Sequence, residues 1–171
     1  MILWFLSIHN SVMDVVMTSV SRLASAGFLW IMICIMICCF SKKNRRYAII
    51  PIISLFIAWF LADIIIKPMV CRVRPFEELG LEILVSIPTT SSFPSGHTAS
   101  SFAAAYSIYS INHKWGYASL LFATLVGISR VYLSVHWPTD VIAGTIIGVF
   151  VAYVVCRLAS SKSDHSNGNL L

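Results

Sequence analysis

Five apolar runs, each near the length of a bilayer-crossing helix, alternate with short polar connections along this chain, at about residues 23–40, 48–66, 97–111, 116–133 and 141–158. A helix needs roughly 20 apolar residues to cross the hydrocarbon core, and spans of about 17 are tolerated. With 58% hydrophobic and only 11% charged residues in 171, the chain carries more apolar surface than one soluble domain buries. The expected fold is all-α: an integral membrane helical bundle of about five transmembrane helices, preceded by an N-terminal amphipathic or half-inserted helix. The third run is short and polar, with Thr98, Ser100, Ser101 and Ser107, and is expected to sit among the other helices and away from lipid.

The net charge of +5 does not form a nucleic-acid patch, because the basic residues are distributed by topology. Lys42, Lys43, Arg45 and Arg46 crowd the first connection, Lys114 follows the third run, and Arg157 and Lys162 follow the last. If five spans alternate sides, these places share one face, which the positive-inside rule assigns to the cytoplasm. Lys67, Arg72, Arg74, His97, Arg130, His136 and Asp140 then share the opposite, extracytoplasmic face.

Three stretches are expected: an amphipathic segment over residues 1–22, a transmembrane domain over 23–158 and a disordered cytoplasmic tail over 159–171. In the first, Ser11, Asp14, Thr18, Ser21 and Arg22 fall on one helical stripe and Val12, Val16, Val20 and Leu23 on another, with Ser11-x-x-Asp14 as a capping box. This segment either lies in the membrane interface or half-inserts. Met1–Leu6 lacks the basic residues of a cleavable signal. The five cysteines sit mostly in apolar runs and have no His or carboxylate beside them, so they read as small hydrophobes; no metal site or other cofactor is expected. The tail is polar and rich in Ser, Asn and Gly.

Three short segments carry the chemistry. Lys67 is followed after six residues by Arg74-Pro75; Pro94-Ser95-Gly96-His97 precedes the third run; Ser129-Arg130 is followed by His136 and Asp140. A transferring phosphoryl group spreads charge over three oxygens, and preplaced cations and N–H donors stabilise it. Lys67, Arg74 and Arg130 are such cations, and Asp63, one turn before Lys67, is placed to hold its ammonium. A lysine at a helix end often only snorkels to the interface; beside two arginines the anion-binding reading is preferred. Gly96 permits close backbone approach at a helix N-terminus, where the dipole favours anions. Ser95 is a hydroxyl donor or simply the helix cap, and His97 is placed to protonate a departing oxygen. His136 and Asp140 are about one turn apart, so the carboxylate can orient one imidazole nitrogen and leave the other free to attack phosphorus. His9, His113 and His165 are expected to be solvated.

In order and spacing, these segments resemble the three-part signature of the type 2 phosphatidic acid phosphatase family over roughly residues 48–158. The resemblance implies a metal-independent lipid phosphatase acting through a phosphohistidine, with His136 as nucleophile, Asp140 as its orienter, His97 as leaving-group acid, and Lys67, Arg74, Ser95, Gly96 and Arg130 around the phosphate. It also implies a bacterial-type plasma membrane protein whose partners are a lipid phosphate and the bilayer, with no obligate protein partner. Lys67 through Phe76 resembles the bacitracin-resistance type of polyprenyl pyrophosphatase, which makes undecaprenyl pyrophosphate the preferred substrate over phosphatidylglycerophosphate or phosphatidic acid. Vanadate haloperoxidases share this anion site but are typically soluble, against the hydropathy here. A scaffold or transport component with a vestigial site would be expected to have lost its nucleophile. Many bacterial members have six spans, and here the amphipathic segment stands at the front.

Overall fold

The computed structural model describes residues 7–40 and 48–168, without the side chains of residues 26, 37–40 and 162–168. The expected basic cluster at residues 42–46 lies outside the described residues, as do Met1–Leu6 and the last three residues. All regular structure among the described residues is helical.

Helix α1 spans Ser11–Leu23. Its cap is Asn10, whose Oδ1 accepts from Met13 N at 3.0 Å, so the capping residue lies one position before the expected Ser11. The predicted two-faced pattern is present. Asp14 accepts from Tyr132 Oη at 2.6 Å and Ser21 is buried, while Val12, Val15 and Val16 are exposed on the outside. For a helix beside lipid this is the stable orientation: polar atoms find partners in the protein and apolar ones meet hydrocarbon.

A single 3₁₀ turn, Ser25–Gly27, separates α1 from α2, Phe28–Phe40. The first apolar run therefore does not continue as one helix from residue 23. Gly27 adopts φ +69°, a left-handed conformation that glycine accepts without steric cost, and the two helices meet at 63°. At 13 residues α2 is about 20 Å long, short of a full bilayer core on its own.

Helix α3, Ile49–Trp59, runs into a π-helical stretch, Phe60–Ile66, and on into α4, Lys67–Val70. The second run thus passes its expected end at 66 and carries Lys67 inside the helical column. Cys71, at φ +50°, ends it, and α5, Pro75–Leu79, follows. Next come α6, Gly96–Ile111; α7, His113–Tyr132; and α8, Pro138–Gly168. Helix α8 contains the expected boundary at 158 and extends through residues for which composition predicts disorder.

By length and composition, Ile49–Leu79 and Pro138–Ser161 can each cross a bilayer, and the α1–α2 pair is bent too sharply to count as one continuous span. Helices α6 and α7 complete the bundle with less apolar sequences; protein surrounds most of α6, whereas α7 keeps Trp115, Tyr117 and Leu121 exposed. Helix α6 is the centre, packed against α3, α7 and α8. Ala99, Ser101, Ala103, Ala104, Ala105 and Ser107 are all buried, as the polar character of this run predicts. Hydroxyls tie it to its neighbours: Trp30 Nε1 donates to Ser101 Oγ at 3.1 Å and Ser107 Oγ to Ser54 Oγ at 2.9 Å.

The closest approach is between α6 and α8. A Cβ at residue 144 would lie 2.6 Å from the Ser95 carbonyl oxygen, and one at 148 would overlap that of Ala99. The small-residue stripe Gly144, Gly148, Ala152 is therefore the contact face on which α6 rests. Gly148→Leu is expected to force these backbones apart and destabilise the bundle by at least about 1–3 kcal/mol, whereas Ile146→Leu, at an exposed position, is near neutral. Thermal unfolding of the two purified variants in one detergent checks this.

Candidate active site

One cavity of about 410 Å³ opens where the ends of α3–α4, α6 and α7 come together. Lys67, Arg74, His97, Arg130 and His136 line it, so residues separated by up to 69 positions meet at one place. Leu55, Phe56 and Trp59 of α3 form its apolar wall, with Ala24 and Gly27 of the α1–α2 bend also lining it.

Each cation is held differently. Lys67 is buried and paired with Asp63 one turn earlier, as the sequence predicts. The Asp63 carboxylate also lies against Gly96, where any Cβ would collide with it. The absence of a side chain at 96 thus admits a carboxylate beside the α6 N-terminus, a feature the sequence reading assigned to phosphate alone. Arg74 is buried, and much of its guanidinium serves the fold: Nε donates to Thr90 O at 2.8 Å, Nη1 to Val135 O at 2.7 Å and Nη2 to Ser91 O at 3.2 Å. It clamps the loop before α6 to the loop before α8 while still lining the cavity.

Arg130, in the last turn of α7, is 6% exposed and forms no ion pair with a carboxylate among the described residues. Nη1 donates to Ser21 Oγ of α1, and Nε has no hydrogen-bond partner. A buried cation without a counter-charge is costly, and an anion in this cavity would relieve that cost.

After α7 the chain turns back on itself. Ser134 takes φ +56°, and the N–H groups of Val135 and His136 both donate to Arg130 O at 3.2 Å, which folds the His136 backbone over the end of α7. His136 is 1% exposed, and burial, foremost, pushes its imidazole down to about 3. The ring is therefore neutral at pH 7, as a nucleophile must be. Pro138 opens α8, whose first turn carries Asp140.

Asp140 lies beside His136 but is held mainly by other groups. Its Oδ2 is 3.6 Å from His136 Nδ1, just beyond a hydrogen bond, and Nδ1 has no partner. Oδ2 accepts from Ser92 Oγ and from Trp137 N at 2.8 Å, and Oδ1 accepts from Arg72 Nη1 at 2.7 Å. Neither Arg72 nor Ser92 had a role in the sequence reading. Arg72 shares a loop with Arg74, a signal that was present; Ser92 offered none.

His97 lines the cavity from the first turn of α6, with Nε2 3.4 Å from Ser25 Oγ. Ser95 does not line it and makes no side-chain cap. Its Oγ accepts from Thr98 Oγ1 at 2.9 Å and its N–H donates to Asp140 O at 3.1 Å, so it joins α6 to α8. His9 is not simply solvated: its ring stacks on Tyr132 at 4.2 Å, and Nδ1 is 3.1 Å from Asp14.

The PAP2 superfamily matches residues 47–164. An undecaprenyl-diphosphatase of Sulfolobus acidocaldarius is 32% identical over 78% of this chain and 65% of its own length, so the chain spans just under two thirds of that relative. The undecaprenyl-diphosphatase BcrC of Bacillus subtilis is 28% identical over 90% of this chain and 79% of its own. Among solved structures, the transmembrane PAP2 type phosphatidylglycerolphosphate phosphatase of Bacillus subtilis superposes with a TM-score of 0.76 at 25% identity, covering 94% of this chain and 83% of that one. With its family match over most of its length and these helices in the same arrangement, the chain belongs to the PAP2 superfamily.

Proposed function

We propose that this protein is a membrane lipid phosphatase that removes the terminal phosphate of a polyprenyl pyrophosphate through a phosphohistidine on His136. The observation that carries the reading is Arg130: a buried guanidinium without a carboxylate partner among the described residues, facing a neutral imidazole in one cavity. Lys67, Arg74 and Arg130 stabilise the three equatorial oxygens. With Nδ1 turned to Asp140, His136 attacks phosphorus through Nε2; the bond from phosphorus to the leaving oxygen breaks, and His97 gives that oxygen its proton. His97 then takes a proton from water as it attacks the phosphohistidine, inorganic phosphate leaves, and His136 returns to its neutral form. No metal has a part in these steps. The apolar wall of Leu55, Phe56 and Trp59 suits a hydrocarbon tail.

Two relatives named undecaprenyl-diphosphatases favour a polyprenyl pyrophosphate. The Bacillus subtilis structure, described as a phosphatidylglycerolphosphate phosphatase, keeps that lipid as the second reading. The cavity lies at the end of the bundle away from Lys114 and Arg157, and with the basic first connection this favours a site outside the cytoplasm of a bacterial-type cell. In this reading α1 is an interfacial segment and residues 159–171 are cytoplasmic.

Phosphate release from undecaprenyl pyrophosphate, phosphatidylglycerophosphate and phosphatidic acid, measured side by side with a chelator present, tests the activity. The expected result is chelator-resistant turnover, fastest on the pyrophosphate, abolished in His136→Ala and reduced about 10²–10⁴-fold in His97→Ala; activity that survives His136→Ala refutes the nucleophile.

Below its ordinary value near 6.5, a histidine in the unfolded chain binds a proton that buried His136 does not take up until about pH 3. Its contribution leaves stability intact above about pH 6.5 and lowers it progressively towards pH 3. His136→Gln should flatten that decline in a series of thermal melts from pH 7.5 to 4.

For topology, exposed Cys71 should react with a membrane-impermeant maleimide in intact cells, and Lys43→Cys in a Cys71→Ser background should react only after permeabilisation. The reverse pattern overturns the orientation.

A further inference from the structure

Arg72 lies within the first motif segment but does not line the cavity. Its Nη1 reaches two acceptors on the first turn of α8, Asp140 Oδ1 at 2.7 Å and Thr139 Oγ1 at 2.7 Å. Its guanidinium also lies over the Trp137 ring, 5.3 Å from the centre. The Asp140 side chain is 0% exposed and that of Arg72 is 37% exposed, so the arginine reaches from the rim to a fully buried carboxylate. Ser92, the other side-chain donor to Asp140, is tied to the same place: its N–H donates to Arg72 O at 2.8 Å while its hydroxyl donates to Oδ2. One pair of adjoining loops thus grips both oxygens of a single carboxylate.

We infer that Arg72 is a positioning residue for the phosphoryl-transfer site, holding the Asp140 carboxylate so that Oδ2 faces His136 Nδ1. This rests on the phosphohistidine reading above. A buried carboxylate has two oxygens and one rotatable bond to its Cβ, and every donor that fixes one oxygen also fixes the other. Trp137 N comes from the same helix turn as Asp140 and moves with it. Arg72 and Ser92 come from a different part of the chain, so they set the carboxylate relative to the cavity and not merely relative to α8. Arg72 also supplies the only ion pair of Asp140 with an arginine or lysine among the described residues. Without it Oδ1 loses its charged donor and the carboxylate is held through Oδ2 alone, beside an imidazole, and misplacement of an orienting group by about 1 Å costs of the order of 10² in rate. The substrate phosphate contacts Lys67, Arg74 and Arg130, not Arg72, so substrate affinity is spared.

The test is a mutant cycle on turnover, read as phosphate release from farnesyl pyrophosphate in detergent by wild type, Arg72→Gln, Asp140→Asn and the double variant. Arg72→Gln is expected to lower kcat about 10- to 100-fold with KM changed less than about threefold, and to cost less than about threefold when Asp140 is already Asn. Arg72→Lys, which restores the charge, is expected to recover most of kcat. Multiplying losses in the double variant, or a rise in KM with kcat unchanged, overturn the inference. If Arg72→Gln does not fold, as judged by thermal melts, Ser92→Ala replaces it in the same cycle, since it releases the other oxygen of the same carboxylate; multiplying losses there overturn the inference as well. Failure of the phosphohistidine reading would be seen separately, as an inactive wild type or an active His136→Ala.

Discussion

Everything at the site depends on how closely two backbones approach. Helix α6 rests on α8 through Gly144 and Gly148, with the Ser95 and Ala99 carbonyls where side chains would otherwise stand, and Ser95 N–H closes the contact on Asp140 O. In a bilayer there is no hydrophobic drive between helices, so such packing must come from van der Waals contact and interhelical hydrogen bonds. The same contact carries His97 at one helix start and Asp140 at the other. Catalytic geometry and membrane assembly are therefore one problem, solved at one interface.

Within that frame the charges are graded. Lys67 has its own carboxylate, Arg74 is spread over three carbonyl oxygens, and Arg130 has a hydroxyl and no ion pair among the described residues. The first two are stabilised before any ligand arrives; the third is the least compensated. A buried cation in a low-dielectric setting attracts an oxyanion more strongly than one in water. His136 sits next to that arginine in sequence and in space because the left-handed turn at Ser134 folds the chain back over the end of α7.

The helices were legible because apolar run length reports bilayer crossing directly, and the three motif segments because phosphate chemistry demands specific residue types. Their convergence was legible too, since alternating spans place odd and even connections on opposite faces. The bend before α2 was not, because Gly27 stands in an unbroken apolar run and only its left-handed backbone breaks the helix. Nor was the π-helical stretch, which has no residue signature. The protein partners of Ser95 and Gly96 were not legible, because a motif names residues that approach an anion but not the groups, Thr98 and Asp63, that also contact them. Arg72 and Asp140 are 68 positions apart, and no local pattern links them.

Helix α1 joins two environments that are usually treated separately. Val12, Val15 and Val16 face outward, and Ser21 on the opposite side receives a hydrogen bond from Arg130. The helix bends away from α2 at Gly27, so the outer valines and the inner hydroxyl belong to one short helix with two surroundings. An amphiphile that covers those valines during purification therefore rests on the same helix that hydrogen-bonds the cavity's least compensated guanidinium.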